Sequence, residues 1–194
     1  MVASYRKAFI GKDFPNNMTS RKTYRSESLT LEEQDQLCKA VSRVDDLALF
    51  RLALTTGIRR EDIVGIEWSG VDFDQRRLTF WESKKSRHWT VPLTERTVQS
   101  LKMLQGVRRA ERKVFGFCGR TAYNRLQAAL ERAGIKKSLR FHDLRRSFVK
   151  TAKRRGLSPK AVSQITGDTV AVIQEHYENM DQDELREELD RLED

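Results

Sequence analysis

The chain has 194 residues, of which 38% are hydrophobic and 34% charged, with a formal net charge of +9. That length allows one well-buried domain, and the basic excess points first to nucleic acid as a partner. The two cysteines have no metal-ligand spacing, and no segment resembles a membrane span or signal peptide. We therefore expect neither a zinc site nor a membrane partner. We expect the protein to be cytoplasmic or nucleoid-associated, or to act in a host cell if it is viral.

The N-terminal third predicts helices. Residues 1–27 are basic and irregular, and we expect a linker or an N-terminal remnant there. Ser28 or Thr30 precedes acidic residues and then an apolar stripe, which predicts a capped helix. A second, more apolar helix is expected to end near Gly57. A short third helix follows over residues 59–68 and is expected to bury Ile63 and Ile66.

The middle of the chain changes to a strand pattern. Residues 77–83 and 87–93 alternate or carry β-branched and aromatic side chains, and the basic letters SKKS lie where the two runs meet. This pattern predicts a β-hairpin with a basic turn. A third strand is expected at residues 113–117. The three tryptophans are expected in the core: Trp68, Trp81 and Trp89.

Helical periodicity returns in the C-terminal half. Helices are predicted over residues 94–105, 120–134 and 139–156, and Ser158-Pro159 is a cap-plus-first-turn signal for the next one. Asp168 is placed to cap a further helix that carries Tyr177. Residues 181–194 contain eight acids and two bases, a net of −6, so the first 180 residues carry +15. Their leucines predict an acidic amphipathic helix: Leu185, Leu189 and Leu192.

Several polar residues in these segments suit phosphodiester chemistry. His142 and Arg145 lie three positions apart and so share one face of a helix. Metal-free cleavage of a phosphodiester needs cationic donors on the non-bridging oxygens, a covalent nucleophile and an acid for the leaving oxygen. The candidate donors are Arg59, Arg60, His142, and Arg145 or Arg146; the candidate acids are Lys84 and Lys85; the candidate nucleophile is Tyr177.

The order of these residues resembles the catalytic domain of tyrosine recombinases, the phage-integrase family that includes the Xer recombinases. The letters TTGIRRED resemble the first arginine box of that family, which carries the catalytic arginine onto Arg59 and a supporting acid onto Asp62. The letters HDLRRSF resemble its His-x-x-Arg box, which carries over His142 and Arg145.

Two further parts of the family pattern are present. The family lysine lies on a hairpin eight residues before a proline, which places it at Lys84, with Lys85 as the alternative. The nucleophilic tyrosine follows the last box by nine residues, which places it at Tyr177 after Gly167-Asp168. Asp168 departs from the usual histidine or tryptophan. It either caps the helix or pairs with Arg59 or Arg145, and His176 is another candidate for the missing imidazole.

The resemblance implies a mainly α-helical α+β fold, with a small three-stranded antiparallel sheet, over residues 28–180. It implies site-specific DNA recombination through a 3′-phosphotyrosyl intermediate, with no metal and no cofactor. Double-stranded DNA is the implied partner of a dimer or tetramer, and the helix at 181–194 is expected to be exchanged between subunits. The expected DNA contacts are Arg60, Lys85, Arg87, Arg146, Lys150 and Lys153.

Two rival functions remain open from the sequence. A type IB topoisomerase would use the same chemistry as a monomer, whereas the leucine-striped tail favours an oligomer. A non-catalytic regulator with a helix-turn-helix could explain residues 158–177, but it would leave the arginine box and the lysine hairpin unexplained.

Overall fold

A mostly apolar helix lies at the centre of the fold. The structure, a computed structural model, describes residues 27–108 and 110–178 together with residues 186 and 189. The central helix, α2 (Val44–Thr56), follows α1 (Leu31–Lys39) and packs against the later helices α4 (Glu95–Arg108) and α6 (Phe141–Arg154). It is buried on almost every side because apolar residues surround its axis.

The start of α1 and the end of α2 follow the predicted local signals. Thr30 and Glu33 form a reciprocal capping box at the start of α1. Gly57 ends α2 with a φ of +64°, a conformation that glycine adopts at little cost. The chain then turns directly into α3 (Arg60–Val64), which is shorter than predicted, although Ile63 and Ile66 are buried as expected.

A three-stranded antiparallel sheet lies beside these helices. Its strands are β1 (Val71–Asp72), β2 (Arg77–Glu82) and β3 (Arg87–Pro92), in the order β1-β2-β3. The predicted hairpin is confirmed, with Phe80 opposite Trp89 and Glu82 opposite Arg87. A short 3-10 turn, Ser83–Lys85, connects its strands.

Two expectations about the strands were wrong. The third strand is β1 and not residues 113–117, where Lys113 makes only an isolated bridge to Glu67. Trp81 is 52% exposed because β2 alternates, so this side chain points away from the core that holds Phe80. Trp68 and Trp89 are partly buried against the core, as expected.

The C-terminal helices form a second, smaller apolar cluster. After α5 (Gly119–Arg132) and α6, the chain continues into α7 (Pro159–Thr166) and α8 (Val170–Glu178). Ser158 accepts a hydrogen bond from Ala161 N and so caps α7 as predicted. The cluster joins α6, α7 and α8 through Phe148, Val149, Ala152, Val162 and Ile173.

The chain ends lie largely outside the described residues. The proposed linker therefore has only residue 27 in the structure, and of the acidic tail only Arg186 and Leu189 are described, both helical and exposed. Leu185 and Leu192 of the leucine stripe lie outside the described residues. Within the described part of the chain, no helix is long and apolar enough to cross a membrane.

Candidate active site

The first candidate arginine, Arg59, lies between α2 and α3 and is held by two carboxylates. Its Nη1 donates to Glu82 Oε1 at 2.8 Å, and its Nη2 donates to Asp168 Oδ1 at 3.0 Å. Arginine suits such a position because its planar fork offers five donors in a fixed geometry. The two ion pairs therefore orient the guanidinium and leave further N–H groups for a ligand.

The second candidate arginine, Arg145, is almost wholly buried. Its Nη1 donates to Gly57 O at 2.7 Å and its Nη2 to Thr166 O at 2.8 Å, while its Nε donates to Asp168 Oδ2 at 3.2 Å. A Cβ on Gly57 would lie 2.9 Å from the ring of Phe148 and 3.2 Å from Arg145 Cγ. Glycine at the end of α2 is thus needed both for its positive φ and for the approach of α6.

Asp168 pairs with both arginines and does not cap α8. Thr169 Oγ1 accepts from Val172 N instead, so the capping role expected of Asp168 falls to its neighbour. Burial would raise the pKa of Asp168, but the guanidiniums of Arg145 and Arg59 outweigh burial and lower it. The carboxylate is therefore ionised at neutral pH and lies between two cations.

The hairpin turn brings Lys85, and not Lys84, to this group. Lys85 Nζ donates to the carbonyl oxygen of Gly167. Both lysines are exposed in the turn, so this contact is what distinguishes Lys85 from Lys84. The turn is attached to α3 through Asp62, whose Oδ1 accepts from Ser83 N at 3.0 Å and from Ser83 Oγ at 2.6 Å. Asp62 thus attaches the hairpin turn to α3, and the supporting role expected from the arginine box stays a prediction.

An open cleft of about 450 Å³ lies over the two arginines. His142 lines it from the first turn of α6, together with Arg59 and Arg145. Partial desolvation and then the nearby charge of Arg145 lower the pKa of His142, so this imidazole is neutral at pH 7. The cleft therefore combines fixed cations with a proton acceptor. Its other polar lining residues are Arg60, Glu61, Ser83, Tyr123 and Arg140.

Tyr177 is not a lining residue of this cleft. Its hydroxyl donates to Leu157 O at 2.8 Å, in the turn between α6 and α7, and its ring packs against the small apolar cluster. Burial raises the pKa of the phenol. In this arrangement the expected nucleophile is in its protonated form and bonded to the backbone.

The expected DNA contacts have different surroundings. Arg87 pairs with Glu82 and its guanidinium lies 3.8 Å from the centre of the Trp89 ring. Arg60 pairs with its neighbour Glu61. Lys153 lies over the ring of Tyr177, 6.0 Å from its centre. Arg146 and Lys150 are half-buried on α6, one turn apart.

Several residues of the site were missed by sequence reasoning. Tyr123 and Arg140 line the cleft but belong to no motif. Glu82 is the acceptor that Arg59 and Arg87 share. The alternation of β2 places Glu82 on the same face as Leu78 and Phe80, and an acid on a buried face needs partners. That signal could have identified Glu82.

Known proteins resemble this chain in both sequence and fold. The phage integrase family model matches residues 27–184. The curated tyrosine recombinase XerA of Saccharolobus solfataricus is 25% identical over 169 residues, covering 86% of this chain and 57% of the relative. A crystal structure of XerA recombinase superposes with a TM-score of 0.77 at 23% identity, covering 85% of this chain and 63% of that one.

A second fold match is the integrase of transposon Tn1549 in complex with a circular intermediate DNA. Its TM-score is 0.70 at 15% identity, and the match covers 88% of this chain and 67% of that one. The chain spans little more than half the length of the curated relative. The expected fold, a tyrosine recombinase catalytic domain, is confirmed. Because the family match extends over most of the chain, residues 27–184, the chain belongs to the phage integrase family.

Proposed function

We propose that this chain cleaves and rejoins DNA as a site-specific recombinase, through a covalent 3′-phosphotyrosyl intermediate. The observation that carries the proposal is the convergence of Arg59, His142 and Arg145 on one open cleft. These residues come from segments more than 80 positions apart in the chain. A site-specific recombinase acts on double-stranded DNA, and the +15 charge of residues 1–180 favours such a polyanion.

In the proposed reaction, Tyr177 Oη forms a bond to the scissile phosphorus and the bond to the 5′ oxygen breaks. Arg59 and Arg145 bind the non-bridging oxygens and stabilise the charge that develops in the transition state. A hairpin lysine donates a proton to the leaving 5′ oxygen. Lys85 is the better-placed donor in this arrangement because it already reaches Gly167 beside Asp168, and Lys84 is the alternative.

The phenol proton also needs an acceptor. Neutral His142 can take it, because its lowered pKa keeps the imidazole unprotonated at neutral pH. Attack by the 5′ hydroxyl of a partner strand then reverses each transfer. Each step replaces one phosphoester bond by another, so the proposed reaction needs no high-energy cofactor.

Tyr177 has to leave its bond to Leu157 O before it can attack. Its helix, α8, starts at Val170, and Thr169 joins it to Asp168. A backbone change at Thr169 would swing Tyr177 while Asp168 keeps its pairs with Arg59 and Arg145. We propose that bound DNA provides the interactions that replace the hydrogen bond to Leu157.

The proposed reaction also requires that copies of this chain assemble on DNA. Strand exchange between two DNA sites needs more than one active site, so we propose a dimer or tetramer on DNA, acting in the cytoplasm or nucleoid or in a host cell. The relative solved as a lambda integrase dimer bound to a COC′ core site supports such an arrangement. We further propose that residues 181–194 form the exchanged helix, which the exposed Leu189 supports.

The Tyr177→Phe variant tests the reaction. On a nicked suicide DNA that traps the cleaved strand, we expect the wild-type chain to form a covalent adduct that survives a denaturing gel. The variant should form none, because phenylalanine has no nucleophilic oxygen, while its affinity for the same DNA should stay within about twofold of wild type.

Tyr123→Phe is the matched control. Tyr123 is the tyrosine that lines the cleft, and its variant should still form the adduct. An adduct that persists in Tyr177→Phe would overturn the assignment of the nucleophile. DNA binding without an adduct in wild type, over a library of sites, would favour a non-catalytic regulator.

A further inference from the structure

A buried carboxylate under the cleft, Glu82, has no role in the family pattern. We propose that Glu82 is a positioning residue that holds Arg59 and Arg87 in the orientation needed for cleavage, an inference that rests on the proposed function. It occupies the last position of β2, on the face that also buries Leu78 and Phe80, and only 1% of it is exposed.

Both oxygens of Glu82 are used, each by a different arginine. Oε1 accepts from Arg59 Nη1 at 2.8 Å, and Oε2 accepts from Arg87 Nε at 2.8 Å. Arg87 is the cross-strand partner of Glu82, and Trp89 supports its guanidinium from one side. The carboxylate therefore joins an arginine of the cleft to an arginine of the hairpin.

The turn between α7 and α8 closes over the same carboxylate. A Cβ on Gly167 would lie 3.0 Å from Glu82 Oε1, which is tighter than most side-chain contacts. The carbonyl of Gly167 accepts from Lys85, and the next residue, Asp168, pairs with Arg59. Glu82 thus contacts or adjoins three separate segments: the start of α3, the hairpin and the α7–α8 turn.

The charge of Glu82 opposes a role in attracting DNA. A carboxylate beside an anion-binding cleft repels phosphate and weakens affinity for DNA. In the group of contacts that joins Glu82 and Asp168, the residues Arg59, Arg145, Arg87 and Lys85 supply four positive charges against two negative ones. Glu82 instead orients Arg59 and Arg87. Orientation matters because displacing a reacting group by about 1 Å can lower the rate on the order of 100-fold.

Removing the charge of Glu82 should therefore slow cleavage without weakening DNA binding. Glu82→Gln keeps the shape of the side chain but removes its charge, so one of the two arginine contacts is weakened. We expect the first-order cleavage rate on saturating suicide DNA to fall at least about tenfold. The dissociation constant for the same DNA should stay equal or decrease, because a negative charge has been removed.

Asp72→Asn is the matched control. Asp72 also pairs with an arginine of the same sheet, Arg77, but at the exposed end far along the strand. We expect this variant to keep the wild-type rate. A cleavage rate within about threefold of wild type in Glu82→Gln would overturn the positioning role, and so would equal losses in rate and affinity.

A second measurement does not depend on cleavage. In a spectrum of the arginine side-chain N–H groups, Glu82→Gln should shift the signals of Arg59 and Arg87, whereas Asp72→Asn should leave them unchanged. If wild type forms no adduct but these shifts occur, the proposed function fails and the positioning contact stands. If wild type cleaves and the signals do not move, the positioning role alone fails.

Glu82→Asp covers the case in which the glutamine variant does not fold. It keeps the charge but shortens the reach by one methylene, and we expect an intermediate rate. Loss of folding in both variants, seen by circular dichroism, would overturn the proposal, since Glu82 would then be required for the fold itself.

Discussion

At the residue scale, Asp168 departs most clearly from the family pattern. An ionised aspartate cannot donate to a phosphate oxygen, yet it stands where the family usually has histidine or tryptophan. The structure gives it a different task, because it pairs with Arg59 Nη2 at 3.0 Å and with Arg145 Nη2 at 2.5 Å. Two guanidiniums that would otherwise repel each other share one carboxylate.

Asp168→His tests that task. An imidazole cannot accept from two guanidiniums at once, so we expect the arginines to shift and the cleavage rate to fall at least about tenfold. Single-turnover cleavage of suicide DNA measures the rate. Thr169→Ala removes the acceptor for Val172 N, which is the cap of α8, and should cleave at nearly the wild-type rate. Wild-type activity in Asp168→His would show that the shared carboxylate is dispensable.

At the element scale, buried ion pairs attach α2 to α5. Arg125 of α5 contacts Asp45 at 2.7 Å and Asp46 at 2.8 Å in the first turn of α2, and Arg43 also pairs with Asp45. Burial raises the pKa of Asp45, but the two arginines outweigh it and lower the pKa to about 2. This contact keeps the start of α2 in register with the helix that presents Tyr123 to the cleft.

Asp45→Asn should lower the free energy of unfolding by about 2 kcal/mol at pH 7, at ~1.4 kcal/mol per unit of pKa change. The folded pKa lies below the unfolded value of 3.8, so this stabilisation is present above pH 4 and is lost as pH falls towards 2. Urea unfolding at pH 7 and pH 3 measures both effects, and the difference between variant and wild type should shrink at pH 3. A constant difference at the two values would contradict the ion-pair explanation.

At the scale of the whole molecule, two apolar cores of unequal size support different residues of the site. The large core includes α2 and supports Arg59 and the start of α6. The small one has five buried side chains and holds α8 with Tyr177. Fewer buried apolar contacts mean a lower free energy of local opening. The arginines are thus carried by the more stable part, and the nucleophile by the less stable one.

Hydrogen exchange measures this difference. Backbone amides of α8 should exchange at least about tenfold faster than those of α2 under native conditions. Ile173→Ala removes a fully buried side chain of the small core, so it should speed exchange in α8 and leave α2 nearly unchanged. Equal protection of both helices in wild type would contradict the division into two cores.

The elements of this fold were largely predictable because their signals are local. A capping box at Thr30, a glycine at position 57 and the Ser158-Pro159 start act over a few residues. The prediction of a strand at residues 113–117 was wrong because a short apolar run does not reveal whether a partner strand lies beside it. The expectation for Trp81 was wrong because the alternation of β2, and not aromatic character, decides which side chains face the core.

The family, the order of the boxes and the helices that carry them follow from the sequence. Tertiary structure is needed to place Lys85 against Gly167, Glu82 and Asp168 against Arg59, and Tyr177 against Leu157. The physical reason is separation along the chain: Arg59 lies 23 residues from Glu82 and 109 from Asp168. Ion pairs over such distances depend on how whole elements pack, and no local pattern encodes that packing.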